Sequence, residues 1–138
     1  MTNPKASFLI RSVWECGYLT EEVARGFGQF YANVNGVADD FANFWRFMAN
    51  EFKDFEYVLG YELINEPFAG DFYEAFSIVL PGLAGNLNLA PLYEKTAKSI
   101  REVDDETLIF YEPVTWGYFS AMQHNRSESQ PFSSKFHH

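Results

Sequence analysis

The chain has 138 residues, a net charge of −9, and a composition that is 47% hydrophobic and 19% aromatic. That apolar fraction supports a packed core and excludes intrinsic disorder, while the acidic balance without any cluster of Lys and Arg argues against a nucleic-acid partner. The charge suits a protein that handles neutral sugars, as it suits many ordinary enzymes, and the 15 Phe, 8 Tyr and 3 Trp read first as core and second as sugar-stacking surface.

At the N-terminus only Phe8, Leu9 and Ile10 form an apolar run before Arg11, too short for the core of a secretory signal. No stretch is long enough to cross a bilayer. Cys16 is the only cysteine, so it has no internal disulfide partner, and no metal-ligand spacing surrounds it. It reads as a small buried apolar residue, or as a thiol whose partner lies outside this chain. Thr20-Glu21-Glu22 supplies a cap and first-turn acids for a helix that runs to about Asn33, where Asn-x-Asn-Gly breaks it. The spacing of Phe41, Phe44, Trp45, Met48 and Phe52 then predicts a helix over residues 37–54 with those side chains inward.

Residues 57–67, YVLGYELINEP, form a short β-prone run that stops at Pro67, which has no N–H to give a sheet ladder. Glu66 is thereby expected at the C-terminal end of a strand. In parallel α/β folds that is the end where loops converge and ligands bind. Alternation puts Gly60, Glu62, Ile64 and Glu66 on one face, with Glu62 about 6.6 Å deeper than Glu66. Glu62 is expected to be buried and structural, and so to need a hydrogen-bonding or cationic partner.

Residues 68–88 form a long connection containing Phe72, Tyr73, Phe76, Ile78, Val79 and Leu80. It reads either as a loop that contacts a greasy ligand or as short helices packed on a rim. Asn88 is expected to cap a helix with Pro91 in its first turn and Leu92, Thr96 or Ala97, Ile100 and Val103 inward, ending at Asp104-Asp105. Residues 108–112 read as the next strand, again stopped by a proline. Helix, strand, helix, strand is the alternation of parallel α/β units. From Gly117 the pattern fades into a polar, Ser-rich tail, which carries a single sequon at Asn125 and a His137-His138 pair too short to bind metal.

The run Gly60-Tyr61-Glu62-Leu63-Ile64-Asn65-Glu66-Pro67-Phe68-Ala69-Gly70-Asp71 resembles the fourth-strand signature of glycoside hydrolase family 5, in its endoglycoceramidase-like branch. Upstream, residues 31–45, and downstream, residues 86–93, 100–104 and 110–116, are similar to the same branch in the same order. The resemblance implies a (β/α)8 TIM barrel. A complete barrel needs about 250 residues, so this chain is expected to hold about half of one, including the fourth and fifth strands. Residues 1–116 would be partial catalytic domain and 117–138 a divergent or disordered tail.

What the resemblance implies for chemistry is a retaining hydrolase that cuts the bond between oligosaccharide and ceramide, with no cofactor and no metal. It assigns Glu66 the acid/base role and Asn65 a hydrogen bond to the sugar 2-hydroxyl. Glu112 and Trp116 are candidate substrate-binding residues, with pairing to a base and rim packing as their respective alternatives. No residue matches the family's nucleophile motif, so the isolated chain is expected to be inactive and poorly folded. A non-catalytic fragment that binds glycan or associates with another half-barrel is the alternative, as is a small α/β domain in which both Glu62 and Glu66 are structural. The implied partner is a glycolipid or oligosaccharide, which leaves open contact with a membrane surface through the substrate's lipid. The implied location is secreted or lysosomal.

Overall fold

The computed structural model describes residues 14–115. Trp116, the tail from Gly117 with its sequon, the N-terminal apolar run and the side chain of Cys16 all lie outside the described residues. After a 3-10 segment, Trp14–Leu19, come helix α1 (Glu21–Tyr31), helix α2 (Val37–Phe52), strand β1 (Gly60–Glu62), helix α3 (Ala90–Arg101) and strand β2 (Leu108–Phe110). The strands pair in parallel, with Gly60 opposite Leu108, Tyr61 opposite Ile109 and Glu62 opposite Phe110. Parallel pairing requires a crossover, and α3 supplies it. The described residues thus hold a two-stranded parallel sheet, where half a barrel would have four strands.

Local chemistry sets the helix ends. Thr20 caps α1, its hydroxyl accepting from Val23 N–H at 3.4 Å and donating to Gly17 O at 2.9 Å, with Glu21 and Glu22 on the positive end of the helix dipole. Asn33 breaks the chain as expected, in a left-handed conformation, and its side-chain oxygen also accepts from the N–H groups of Ala38 and Asp39 at the start of α2.

The buried face of α2 agrees with the expected one only in part: Phe41, Trp45 and Met48 are half-buried along it. Ala38, Ala42 and Ala49 are buried, whereas Phe44 and Phe52 are 52% and 37% exposed. Alanines let α2 lie close to α3, which presents Leu92, Tyr93, Thr96, Ala97 and Ile100, so the large rings are displaced to the flanks. Trp45 remains useful there, donating its indole N–H to Leu63 O at 3.2 Å. A second difference concerns Asn88. It does not cap α3, which is entered through a π-helical turn at Gly85–Leu89, and its amide serves the loop after β1 instead.

The core consists of Ala49, Tyr61, Leu63, Leu89, Tyr93 and Ile100, bordered by Tyr31, Trp45, Val58, Ile64, Val103, Ile109 and Val114. Full burial of Leu89 and Ile100 contributes about 1.5–3 kcal/mol each. Tyr61 and Leu63 point to the helices, which leaves Gly60 and Glu62, with Leu108 and Phe110 across from them, on the other face. Glu62 is therefore exposed, not buried, and no hydrogen bond or ion pair reaches it among the described residues. Alternation along the strand holds, but it does not say which face the helices cover.

Below the sheet, the Tyr61 hydroxyl donates to the buried Asp104 carboxylate at 2.7 Å, which also accepts from the N–H groups of Thr107 and Glu106. Arg101 donates to the carbonyls of Asp104 and Thr107 at 2.9 and 2.8 Å. This knot fixes the turn that feeds β2.

Candidate functional site

The backbone ladder continues one step past β1, with Leu63 N–H donating to Phe110 O at 3.1 Å. The chain then bends at Asn65 and Glu66, beyond the C-terminal ends of both strands. Glu66 has φ 47°, in the left-handed region that a residue with a Cβ occupies at a cost of about 1–2 kcal/mol. A following proline normally pushes its predecessor to extended backbone, and Glu66 does not take that conformation either. Such a geometry persists only where neighbours over-determine it.

Those neighbours come from several elements. Glu66 N–H donates to Glu112 Oε2 at 2.8 Å. Pro67 O accepts from Thr115 N–H at 2.8 Å, Phe68 O from the Tyr31 hydroxyl at 2.7 Å, and Ala69 O from the Asn88 amide at 2.7 Å. Glu112 is held in turn, because Tyr93 donates its hydroxyl to the Glu112 carbonyl at 2.7 Å. Gly70, at φ 122°, completes the loop where an added Cβ would sit 2.7 Å from Asn88 Nδ2. Main-chain groups that would otherwise be orphaned in a non-repetitive loop thus find partners on α1, on the turn before α3 and on the segment after β2.

Burial pushes the Tyr31 phenol well above the usual tyrosine range, and the nearby Tyr93 adds to the effect. Burial does the same to Tyr93, against a smaller downward pull from the Glu112 carbonyl. Both hydroxyls therefore keep their protons at neutral pH and remain donors.

Phe68, 5% exposed, packs among Tyr18, Phe27 and Phe72 with ring centroids 5.7, 6.1 and 5.8 Å away. These rings support the floor of the loop. Farther along, Phe76–Val79 forms a 3-10 turn, with Phe76 74% and Leu80 57% exposed. The connection thus contains short helical turns and exposed apolar side chains together. An open groove between α2 and α3, lined by residues such as Asp39, Asn43, Pro91 and Lys95, includes neither Asn65 nor Glu66.

Of the sequence-predicted site residues, Glu66 and Glu112 are brought together and Asn65 stands beside them, exposed. Trp116 lies outside the described residues. Sequence reading missed Tyr31, Asn88, Tyr93 and Thr115 as supports of the loop. The available signal was a tyrosine on the apolar face of a helix, whose hydroxyl needs a partner once buried. Among the described residues no three His, Cys, Asp or Glu side chains group as metal ligands. The arrangement offers a half-buried carboxyl group on a pinned backbone, with an amide side chain adjacent, suited to proton transfer and to hydrogen bonding with hydroxyl-rich ligands.

The family model for cellulase, glycosyl hydrolase family 5, matches residues 20–135. The chain is 50% identical over 111 residues to an endoglycoceramidase of Cyanea nozakii, covering 80% of this chain and 22% of that protein. It is 45% identical over 106 residues to an endoglycoceramidase of Hydra vulgaris, covering 77% and 20%. Solved structures of endo-glycoceramidase II from Rhodococcus sp. are similar to it. One is a cellobiose-like imidazole complex (TM-score 0.64, 27% identity, 83% of this chain and 23% of that chain). Another is a ganglioside GM3 complex (TM-score 0.59, 29% identity, the same coverage). The chain spans about a fifth of the length of the curated relatives it matches.

Proposed function

From the premise that this chain belongs to glycosyl hydrolase family 5, we propose that it carries the proton-donating side of a retaining glycosidase site that cuts the oligosaccharide–ceramide bond of glycosphingolipids. In this reading β1 and β2 are the fourth and fifth strands of a (β/α)8 barrel, residues 1–116 are part of its catalytic domain, and residues 117–138 are a tail. The observation that carries the reading is Glu66 at the C-terminal end of a parallel sheet, on a backbone bend that the surrounding elements pin. That is the end of a barrel where chemistry takes place.

In the first half-reaction the Glu66 carboxyl gives its proton to the glycosidic oxygen while a nucleophilic carboxylate attacks the anomeric carbon, so ceramide leaves as a neutral alcohol. In the second, the Glu66 carboxylate removes a proton from water as that water displaces the sugar from the enzyme. Asn65 donates to the 2-hydroxyl of the sugar, a bond that tightens as positive charge builds on the ring. The nucleophile, about 5 Å from the acid in retaining enzymes, is a glutamate that no motif in this chain matches. The 138-residue chain alone is therefore expected to release no ceramide.

The test is a chimera in which this sequence replaces the matching 111-residue segment of the Cyanea nozakii relative. It should hydrolyse ganglioside, and Glu66→Gln should lower kcat/KM about 10²–10⁴-fold. The loss should be far smaller on an aryl glycoside whose leaving group needs no proton. Ganglioside turnover unchanged by Glu66→Gln refutes the assignment, and turnover by the isolated chain refutes its incompleteness.

A second reading rests on the uncovered sheet face, where Leu108 is 50% and Phe110 43% exposed: a non-catalytic fragment that associates with another half-barrel or binds glycan. Glycan affinity or self-association of the chain, with no activity in the chimera, favours that reading. A secreted or lysosomal destination, and contact with a membrane through the substrate's lipid, are proposals from the same family premise. Imaging of the tagged full-length protein checks the first, and vesicle co-sedimentation the second.

A further inference from the structure

Its place at a strand end suggests substrate binding for Glu112, but its carboxylate is already engaged. In straight register Ile64 would stand opposite Glu112 and Glu66 two residues beyond. The bend at Asn65 and Glu66, together with the reach of the Glu112 side chain, closes that gap, and Oε2 accepts the Glu66 N–H at 2.8 Å. We propose that Glu112 is a positioning residue: its carboxylate holds the residue-66 backbone in the left-handed conformation from which the Glu66 side chain is presented. This rests on the reading of Glu66 as the acid/base.

At φ 47° residue 66 has an intrinsic tendency to relax, and an N–H to carboxylate bond is among the stronger restraints a side chain can supply. Glu112 is itself anchored by Tyr93 through its carbonyl, and the Thr115 N–H bond to Pro67 O fixes the other side of the bend. Rotation at Glu66 is thereby restrained from both directions. A small angular error in the backbone at this point would be carried to the end of a three-bond side chain, where catalytic placement tolerates little displacement.

The experiment has two arms. In the ¹⁵N-labelled 138-residue chain, the Glu66 amide proton should follow the protonation of the Glu112 carboxylate on acid titration. Glu112→Ala should speed exchange of that amide about tenfold or more without affecting amides in α3, and Glu112→Gln, whose side-chain oxygen still accepts, should restore protection. An amide that ignores the carboxylate titration overturns the proposal without needing any variant to fold, as does exchange unchanged by Glu112→Ala. In the chimera, Glu112→Ala should lower kcat about tenfold or more at constant KM, with most activity restored by Glu112→Gln. A rise in KM alone would make Glu112 a substrate contact and overturn the proposal. Should Glu66→Gln prove harmless, the acid/base reading fails while the amide measurements still report whether Glu112 holds the bend.

Discussion

Residue 66 offers a direct measurement of backbone strain. A left-handed φ of 47° costs a residue with a Cβ about 1–2 kcal/mol. Glycine avoids this cost but loses about 0.5–1 kcal/mol through the greater entropy of its unfolded chain. Glu66→Gly should therefore be more stable than Glu66→Ala by about 0.75 kcal/mol, the difference between the middles of those ranges. Both variants lack the carboxyl group, and both keep the N–H that Glu112 accepts, so changes in charge and hydrogen bonding cancel between them. Urea denaturation of the two chains side by side, followed by far-UV circular dichroism, reads the difference as a midpoint shift of roughly half a molar. Alanine as stable as glycine, or more stable, would mean that residue 66 has a negative φ in solution. Its neighbours would then not be holding residue 66 on a strained backbone.

Two further perturbations test the framework beneath the site. Tyr61→Phe removes the 2.7 Å bond to buried Asp104 and should cost about 1.5–3 kcal/mol at pH 7. Burial raises the Asp104 pKa, but donation from Thr107, Tyr61 and Glu106 lowers it further, and the net shift is downward. Its contribution is thus complete above the unfolded value of about 3.9 and disappears as pH falls through the lower folded value. The penalty of Tyr61→Phe should therefore shrink in urea midpoints as pH falls from 7 through the lowered folded value of Asp104, and a penalty that stays constant after the carboxylate is protonated contradicts the linkage. Gly60→Ala should destabilise by about 1–3 kcal/mol, because its Cβ would lie 2.6 Å from Leu108 O and 2.5 Å from the Phe110 ring. A neutral effect in thermal denaturation would show that the strands do not pair in this register.

Features set by a few neighbouring residues are legible in the order of amino acids alone. Thr20 and Asn33 bracket α1 because a hydroxyl cap and an Asn-rich break act over a single turn, whereas β1 ends at Glu62, with its last ladder bond at Leu63, several residues before Pro67. The alternation also holds within β1, where buried Tyr61 lies between half-buried Gly60 and exposed Glu62, but not beyond it, since Ile64 packs on the core and the chain bends at Glu66. What alternation lacks is the identity of the covered face, which depends on where α2 and α3 pack. Glu62, expected in the interior, accordingly stands in solvent. The same kind of choice decides the buried face of α2. Phenylalanines carry the stronger hydrophobic signal, yet close approach of two helices favours the smaller Ala38, Ala42 and Ala49.

Asn88 and Glu112 show why a site's support is harder to read than the site itself. An asparagine ahead of a helix fits a cap and fits a loop clamp equally well on local grounds. Only the fold brings Ala69 O within 2.7 Å of Asn88 and makes it the clamp. A glutamate at a strand end likewise suggests substrate, until the bend of a neighbouring strand turns an N–H toward it. In both cases the decisive partner is distant in sequence, 19 residues away for Asn88 and 46 for Glu112. No residue type encodes the left-handed backbone at Glu66; it exists because those distant partners are satisfied together. On the proposed reading the chemistry resides in Asn65 and Glu66, while the backbone geometry that presents them is distributed over α1, α3 and the segment after β2.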